Sequence, residues 1–122
     1  MNRRFSIFSA SLLGLLAANG IASAQTTVRV NVDSTGAEAN GWSGSNWLGE
    51  SPAISADNRY VAFCSVASNL VPGDTNGSFD VFVKNLATGA IVRVSVDSAG
   101  VQGNSDSTYP SLSADGRRSR AT

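Results

Sequence analysis

The stretch "VRVNVDSTG", Val28 to Gly36, returns 64 residues later as "VRVSVDSAG", Val92 to Gly100, with seven of nine positions identical. A second pair, "SPAISADNR" (Ser51 to Arg59) and "YPSLSADGR" (Tyr109 to Arg117), repeats with an offset of 58. Self-similarity on this scale marks a chain built by stacking one supersecondary unit. The two offsets differ by six, so the connector between the blocks is six residues shorter in the second copy. Length change confined to a Gly/Ser/Asn-rich connector is what a surface loop tolerates.

Each block reads as strand. Val28, Val30 and Val32 alternate with Arg29 and Asn31, and Val92, Val94 and Val96 alternate with Arg93 and Ser95, the period of two that puts one face toward a core. "RYVAFCS" and "FDVFVKN" are further short runs of β-branched and aromatic residues between turn formers. The Ser-Ala-Asp-Asn and Ser-Ala-Asp-Gly tetrads predict tight turns, because Asn and Gly tolerate positive φ and Asp bonds its own downstream backbone. With no helical period after residue 25, the expected fold class is all-β. One unit has four antiparallel strands, near 51–55, 60–65, 79–84 and 91–96, and a four-stranded repeat of this length predicts a β-propeller blade.

The order of these motifs resembles the TolB-like, or WD40-like, β-propeller repeat proteins. There an "S-x-D-G-[RK]" turn precedes a "[YF]-[VI]-A-F" strand and a "D-[VI]-[FY]-V" strand follows, as in "SPAISADNRYVAF" and "DVFVKNLATG". "FCSVASNLVPGDTNGSFDVFVKNLATG" is similar to a blade that recurs in exported bacterial propeller proteins. The resemblance implies about one and a half blades of a larger propeller. Residues 25–50 are expected to hold the last strand of a neighbouring blade and a connector, residues 51–97 a complete blade, and residues 98–122 the start of the next. The second "SADGR" runs into "RSRAT" instead of an apolar strand, which predicts a truncated fragment.

Residues 1–24 read as a signal peptide. Arg3 and Arg4 precede an apolar run from Ile7 to Ala18, too short to span a bilayer, and Ala22-Ser23-Ala24 supplies small residues for cleavage before Gln25. The mature chain is therefore expected to be secreted or periplasmic, with no membrane span after cleavage. Residues 25–116 carry four basic groups against all nine carboxylates, a balance of −5, which argues against a nucleic-acid partner. Arg117, Arg118 and Arg120 form a basic tail expected to be solvated. Cys64 is the only cysteine, which excludes an internal disulfide, and its alternating apolar run predicts burial.

The chain has no histidine, which removes His-based triads and the commonest general base at neutral pH. Ser55 and Ser65 lack a visible base, and nothing pairs Glu38 with Glu50 as acid and base. No catalytic role is expected. "PGDTNGSFDVFV", Pro72 to Val83, is the candidate metal loop: Asp74, Asn76 and Asp80 offer oxygens to Ca²⁺, which accepts six to eight in loose geometry. EF-hand spacing fails, since Gly77 falls at position four counted from Asp74 and Asn85 at position twelve. The same residues also suit a plain interstrand connector. Trp42 and Trp47, in the longer connector, are candidate ligand contacts, and the same residues also suit a connector that folds back over the blade and buries them.

These readings converge on an exported, non-catalytic propeller fragment that binds a protein or extracellular ligand, or serves structurally. One alternative is a calcium-stabilised cell-surface or adhesion module. Another is the propeller part of a larger secreted hydrolase or peptidase.

Overall fold

The computed structural model describes residues 6–9, 25–44 and 51–121. Among these residues the chain is all-β, with no helix. Two edge strands come first, β1 (Ser6–Ser9) and β2 (Thr26–Arg29). The central sheet follows, with β3 (Ala53–Ile54), β4 (Tyr60–Ser65), β5 (Asp80–Asn85) and β6 (Ile91–Arg93), and then β7 (Ser111–Leu112) and β8 (Ser119–Arg120). The central four strands form one antiparallel sheet in sequential order, and each of the other two pairs forms its own small antiparallel sheet. No described sheet closes on itself. Of the residues expected as a leader, Ser6–Ser9 are described, and they pair antiparallel with β2. No helix among the described residues is long and apolar enough to cross a membrane.

The sheet is held by the pairing of β4 with β5, in unbroken register from Tyr60↔Asn85 to Ser65↔Asp80. Phe63 faces Phe82 directly across the strands, with ring centroids 5.9 Å apart and planes tilted by 31°. Alternation puts Val61, Phe63, Phe82 and Lys84 on one face. Val30 and Ala39 from the N-terminal segment, with Ala67 and Leu70 from the loop after β4, bury its apolar residues. Ala62, Cys64, Val81 and Val83, on the opposite face, are also buried. β7 lies against β3 and β4, and the turn that follows it is close enough that a Cβ at Gly116 would collide with the Tyr60 ring.

The turns follow the repeat atom for atom. Ser55 Oγ donates to Asp57 Oδ1 at 2.6 Å, and Ser113 Oγ donates to Asp115 Oδ1 at 2.6 Å. The backbone N–H of Arg59, and likewise that of Arg117, donates to the same carboxylate at 3.0 Å. Asn58 (φ 57°) and Gly116 (φ 68°) occupy the left-handed position of each turn, the two residue types that take it at least cost. In the other repeated block Asp33 Oδ1 accepts from Thr35 and Ala37 N–H, as Asp97 Oδ1 accepts from Ala99 and Val101 N–H.

The fourth strand is shorter than its alternation predicts, ending at Arg93 rather than Val96. The cause is a side chain. Val81 N–H donates to Ser95 Oγ at 3.1 Å, so the hydroxyl takes the donor that a backbone carbonyl would have received.

The buried Phe63–Phe82 pair predicts that Phe82→Ala costs about 3–5 kcal/mol, a large share of the stability of a small domain. Urea unfolding followed by circular dichroism is the measurement. A loss below about 1 kcal/mol would mean that the pair is not the centre of the core.

Candidate functional site

The loop from Pro72 to Phe79 joins β4 to β5, and segment 101–107 holds it in place. Gln102 Nε2 donates to Thr75 Oγ1 at 2.6 Å, and Thr75 N–H donates to Gln102 Oε1 at 3.2 Å. Asn76 Nδ2 donates to Gly103 O at 3.0 Å, Phe79 N–H to Asp106 Oδ1 at 2.9 Å and Ser107 N–H to Phe79 O at 2.7 Å.

Of the three candidate calcium ligands, the structure brings Asp74 and Asp80 together and turns Asn76 aside. Asn76 Oδ1 accepts from Ser78 N–H, and its amide nitrogen faces Gly103. The positive charge beside the two carboxylates is Arg93, on the last position of β6. Its Nη1 lies 3.3 Å from Asp74 Oδ1 and 3.6 Å from Asp80 Oδ2, and donates to Gln102 Oε1 at 2.9 Å. Asp80 Oδ1 accepts from Ser95 Oγ at 2.6 Å. The side chains of Asp80, Asp74 and Arg93 are 0%, 5% and 10% exposed, so this is a buried ionic cluster. Asp80 Oδ2 and Arg93 Nε have no hydrogen-bond partner in it. Among the described residues no three His, Cys, Asp or Glu side chains converge as a metal site would need.

Two carboxylates share one guanidinium, so the cluster carries an excess negative charge away from water. Burial, then the Asp80 charge, pushes the Asp74 carboxyl above its ordinary value, and Arg93 only partly offsets this. The exposed turn carboxylates behave oppositely. Hydrogen bonds from Ser55 and the Arg59 backbone hold Asp57 below the ordinary value, as Ser113 and the Arg117 backbone do for Asp115.

Sequence reasoning missed Arg93, Ser95 and Gln102, although the repeat carried a signal. In the first copy Arg29 pairs with Glu38. At the matching positions of the second copy the arginine is Arg93 and the glutamate has become Gln102. There the arginine keeps its contact with the matching residue, Gln102, and also reaches Asp74 and Asp80.

A second polar group sits under the N-terminal connector. Ser43 Oγ donates to Ser65 Oγ at 3.0 Å, Ser65 Oγ donates to Trp42 O at 2.8 Å, and Asn31 Nδ2 donates to Ser43 Oγ at 3.4 Å. A Cβ on Gly41 would come within 2.9 Å of Ala67 N, so only glycine allows this approach. The connector is thereby fixed at its backbone while the Trp42 side chain stays 48% exposed. Trp47 and Glu50 lie outside the described residues. Ser55 is spent on its turn, Ser65 on this network, and Cys64 is buried in β4.

Lys84, 5% exposed, sends its ammonium to Val32 O at 2.9 Å and Asp33 O at 2.8 Å. Burial pushes this amine below the ordinary lysine value, and the neighbouring Asp33 charge pulls it back.

Removing the guanidinium strands two buried carboxylates, so Arg93→Met is expected to cost about 3–5 kcal/mol in urea unfolding. Asp74→Asn is expected to act in the opposite direction. A carboxyl raised by folding binds its proton more tightly in the native chain. Its favourable contribution is complete below the ordinary carboxylate value and is lost as pH rises through the native value. The amide removes that loss, so the variant should melt no lower than wild type at pH 7 and show a flatter stability profile between about pH 4 and 7. A lower melting temperature at pH 7 would refute this account of the cluster.

Compared with models of protein families, with curated proteins and with solved structures, the chain matches none.

Proposed function

We propose that the chain is an exported, non-catalytic β-repeat module of the TolB-like propeller type, with β3–β6 as its complete blade, which presents a connector loop to a protein or extracellular ligand. The observation that carries this reading is the recurrence of the same hydrogen bonds, within 0.1 Å, in the turns at Ser55–Tyr60 and Ser113–Arg118. Repetition of geometry as well as sequence supports a unit made for stacking. The presenting surface is the connector at Trp42, whose main chain is anchored while its indole faces solvent. A half-exposed aromatic on a fixed backbone suits stacking on a sugar ring or packing into a partner's pocket.

The module reading predicts that the expressed gene delivers its product to the periplasm or medium with Gln25 as first residue, as read by intact-mass spectrometry. Retention in the cytoplasm at full length counts against export. For binding, a panel of soluble extracellular polysaccharides is titrated while tryptophan fluorescence is followed. The signal of any binder should weaken at least about tenfold in affinity, about 1.4 kcal/mol, in Trp42→Ala, with the circular dichroism spectrum unchanged. A binder indifferent to that substitution would move the contact surface elsewhere.

A calcium-stabilised surface or adhesion module is the second reading, and the buried, unbonded Asp80 Oδ2 beside Asp74 favours it. Calcium at this place must displace Arg93 from both carboxylates. The melting temperature at millimolar Ca²⁺ decides: a rise that Asp80→Asn abolishes supports the reading, and no shift ends it.

A further inference from the structure

The hairpin of β7 and β8 copies that of β3 and β4 in backbone and departs from it in side chains. Its register, Ser111↔Arg120 and Leu112↔Ser119, is that of Ala53↔Ala62 and Ile54↔Val61 carried 58 positions on. Arg118 and Arg120 therefore stand where the first copy has Tyr60 and Ala62. Ala62 is buried and Tyr60 half-buried, whereas both arginines are exposed. Strand alternation sets residues two apart on one face, about 7 Å from each other, so Arg118 and Arg120 share a face with their cross-strand neighbours Ser113 and Ser111. The hairpin carries an open groove of about 610 Å³, to whose lining Ser111, Ser113, Arg117, Arg118 and Arg120 contribute and no carboxylate does. Arg118 and Arg120 make no ion pair among the described residues. Asp115, the one carboxylate of the hairpin, is taken at Oδ1 by Ser113 Oγ and the Arg117 N–H.

We infer that this groove binds an anionic polysaccharide, with Arg118 and Arg120 each taking one sulfate or carboxylate of the chain. A guanidinium presents paired N–H donors that match either oxyanion, and Ser111 adds a hydroxyl on the same face. The rest of the molecule narrows the class of ligand. Residues 25–116 carry a balance of −5, so a nucleic-acid duplex or a bilayer, which brings up an extended anionic face, meets repulsion from the body. A flexible chain puts two charges into the groove and leads the remainder away. Only the extracellular setting of the ligand rests on the module reading, and Trp42 is no part of the groove's lining.

The full chain is titrated in a calorimeter with dextran sulfate, carboxymethyl dextran and neutral dextran, three polymers of one backbone. Both anionic polymers are expected to bind and the neutral one not, with affinity falling as salt is added. Arg118→Gln and Arg120→Gln together should weaken binding at least about tenfold and lower the salt slope by about one for each arginine removed, with the circular dichroism spectrum unchanged. Arg59→Gln, which removes an exposed charge at the other turn, should leave the affinity as it is. No binding, or binding that the double variant leaves intact, would overturn the inference. A loss in Arg59→Gln as large as in the double variant would assign the effect to net charge and count against the groove. Tighter binding to duplex DNA or to phosphatidylglycerol vesicles than to dextran sulfate would give the site to another class of partner, against the inference. Binding that Trp42→Ala abolishes and the double variant keeps would overturn the inference and leave the module reading standing, whereas retention in the cytoplasm would end that reading with the groove's chemistry intact.

Discussion

A sheet of four short strands persists in water only if an apolar face is covered. In this chain the Phe63–Phe82 face is covered from upstream of the sheet and from the loop after β4. Val30 and Ala39 reach back onto Phe63 and Phe82, while β7 leans on β3 and β4. The loop from β4 to β5 is gripped at both ends by the same logic: Asn40 binds Ser68 and Asn69 near its start, and Gln102 and Asp106 bind Thr75 and Phe79 near its finish.

That arrangement accounts for what the sequence made legible. Alternation in "YVAFCS" and "DVFVKN" is a local signal, and the strands it marks are found at Tyr60–Ser65 and Asp80–Asn85. Turn chemistry is also local, so Asn58 and Gly116 take the positive φ expected of them. The first strand is shorter than its expected span, Ala53–Ile54, and the fourth stops early because Ser95 uses its hydroxyl on Val81. A competition between side chain and main chain leaves no trace in hydrophobic periodicity.

The ionic cluster was hidden for a different reason. Asp74, Asp80 and Arg93 are separated along the chain and meet only when β6 lies beside β5 and the loop folds over both. Oxygen-rich residues in a loop look alike whether they await a metal ion or an arginine. What separates the two cases is which cation the topology delivers, and here β6 delivers Arg93. Between the repeats Glu38 is replaced by Gln102, and the arginine that still touches this position gains the neighbouring strand and loop as partners.

The contact of Lys84 with Val32 O and Asp33 O has a consequence for substitution. It reads main-chain oxygens, so it places no demand on the side chains that surround them. It fixes the path of the main chain at Val32 and Asp33, while the buried Asn31 beside them is held separately through Ser43. A joint of this kind survives any substitution at Val32 that leaves the local main-chain path unchanged, and fails when that path bends.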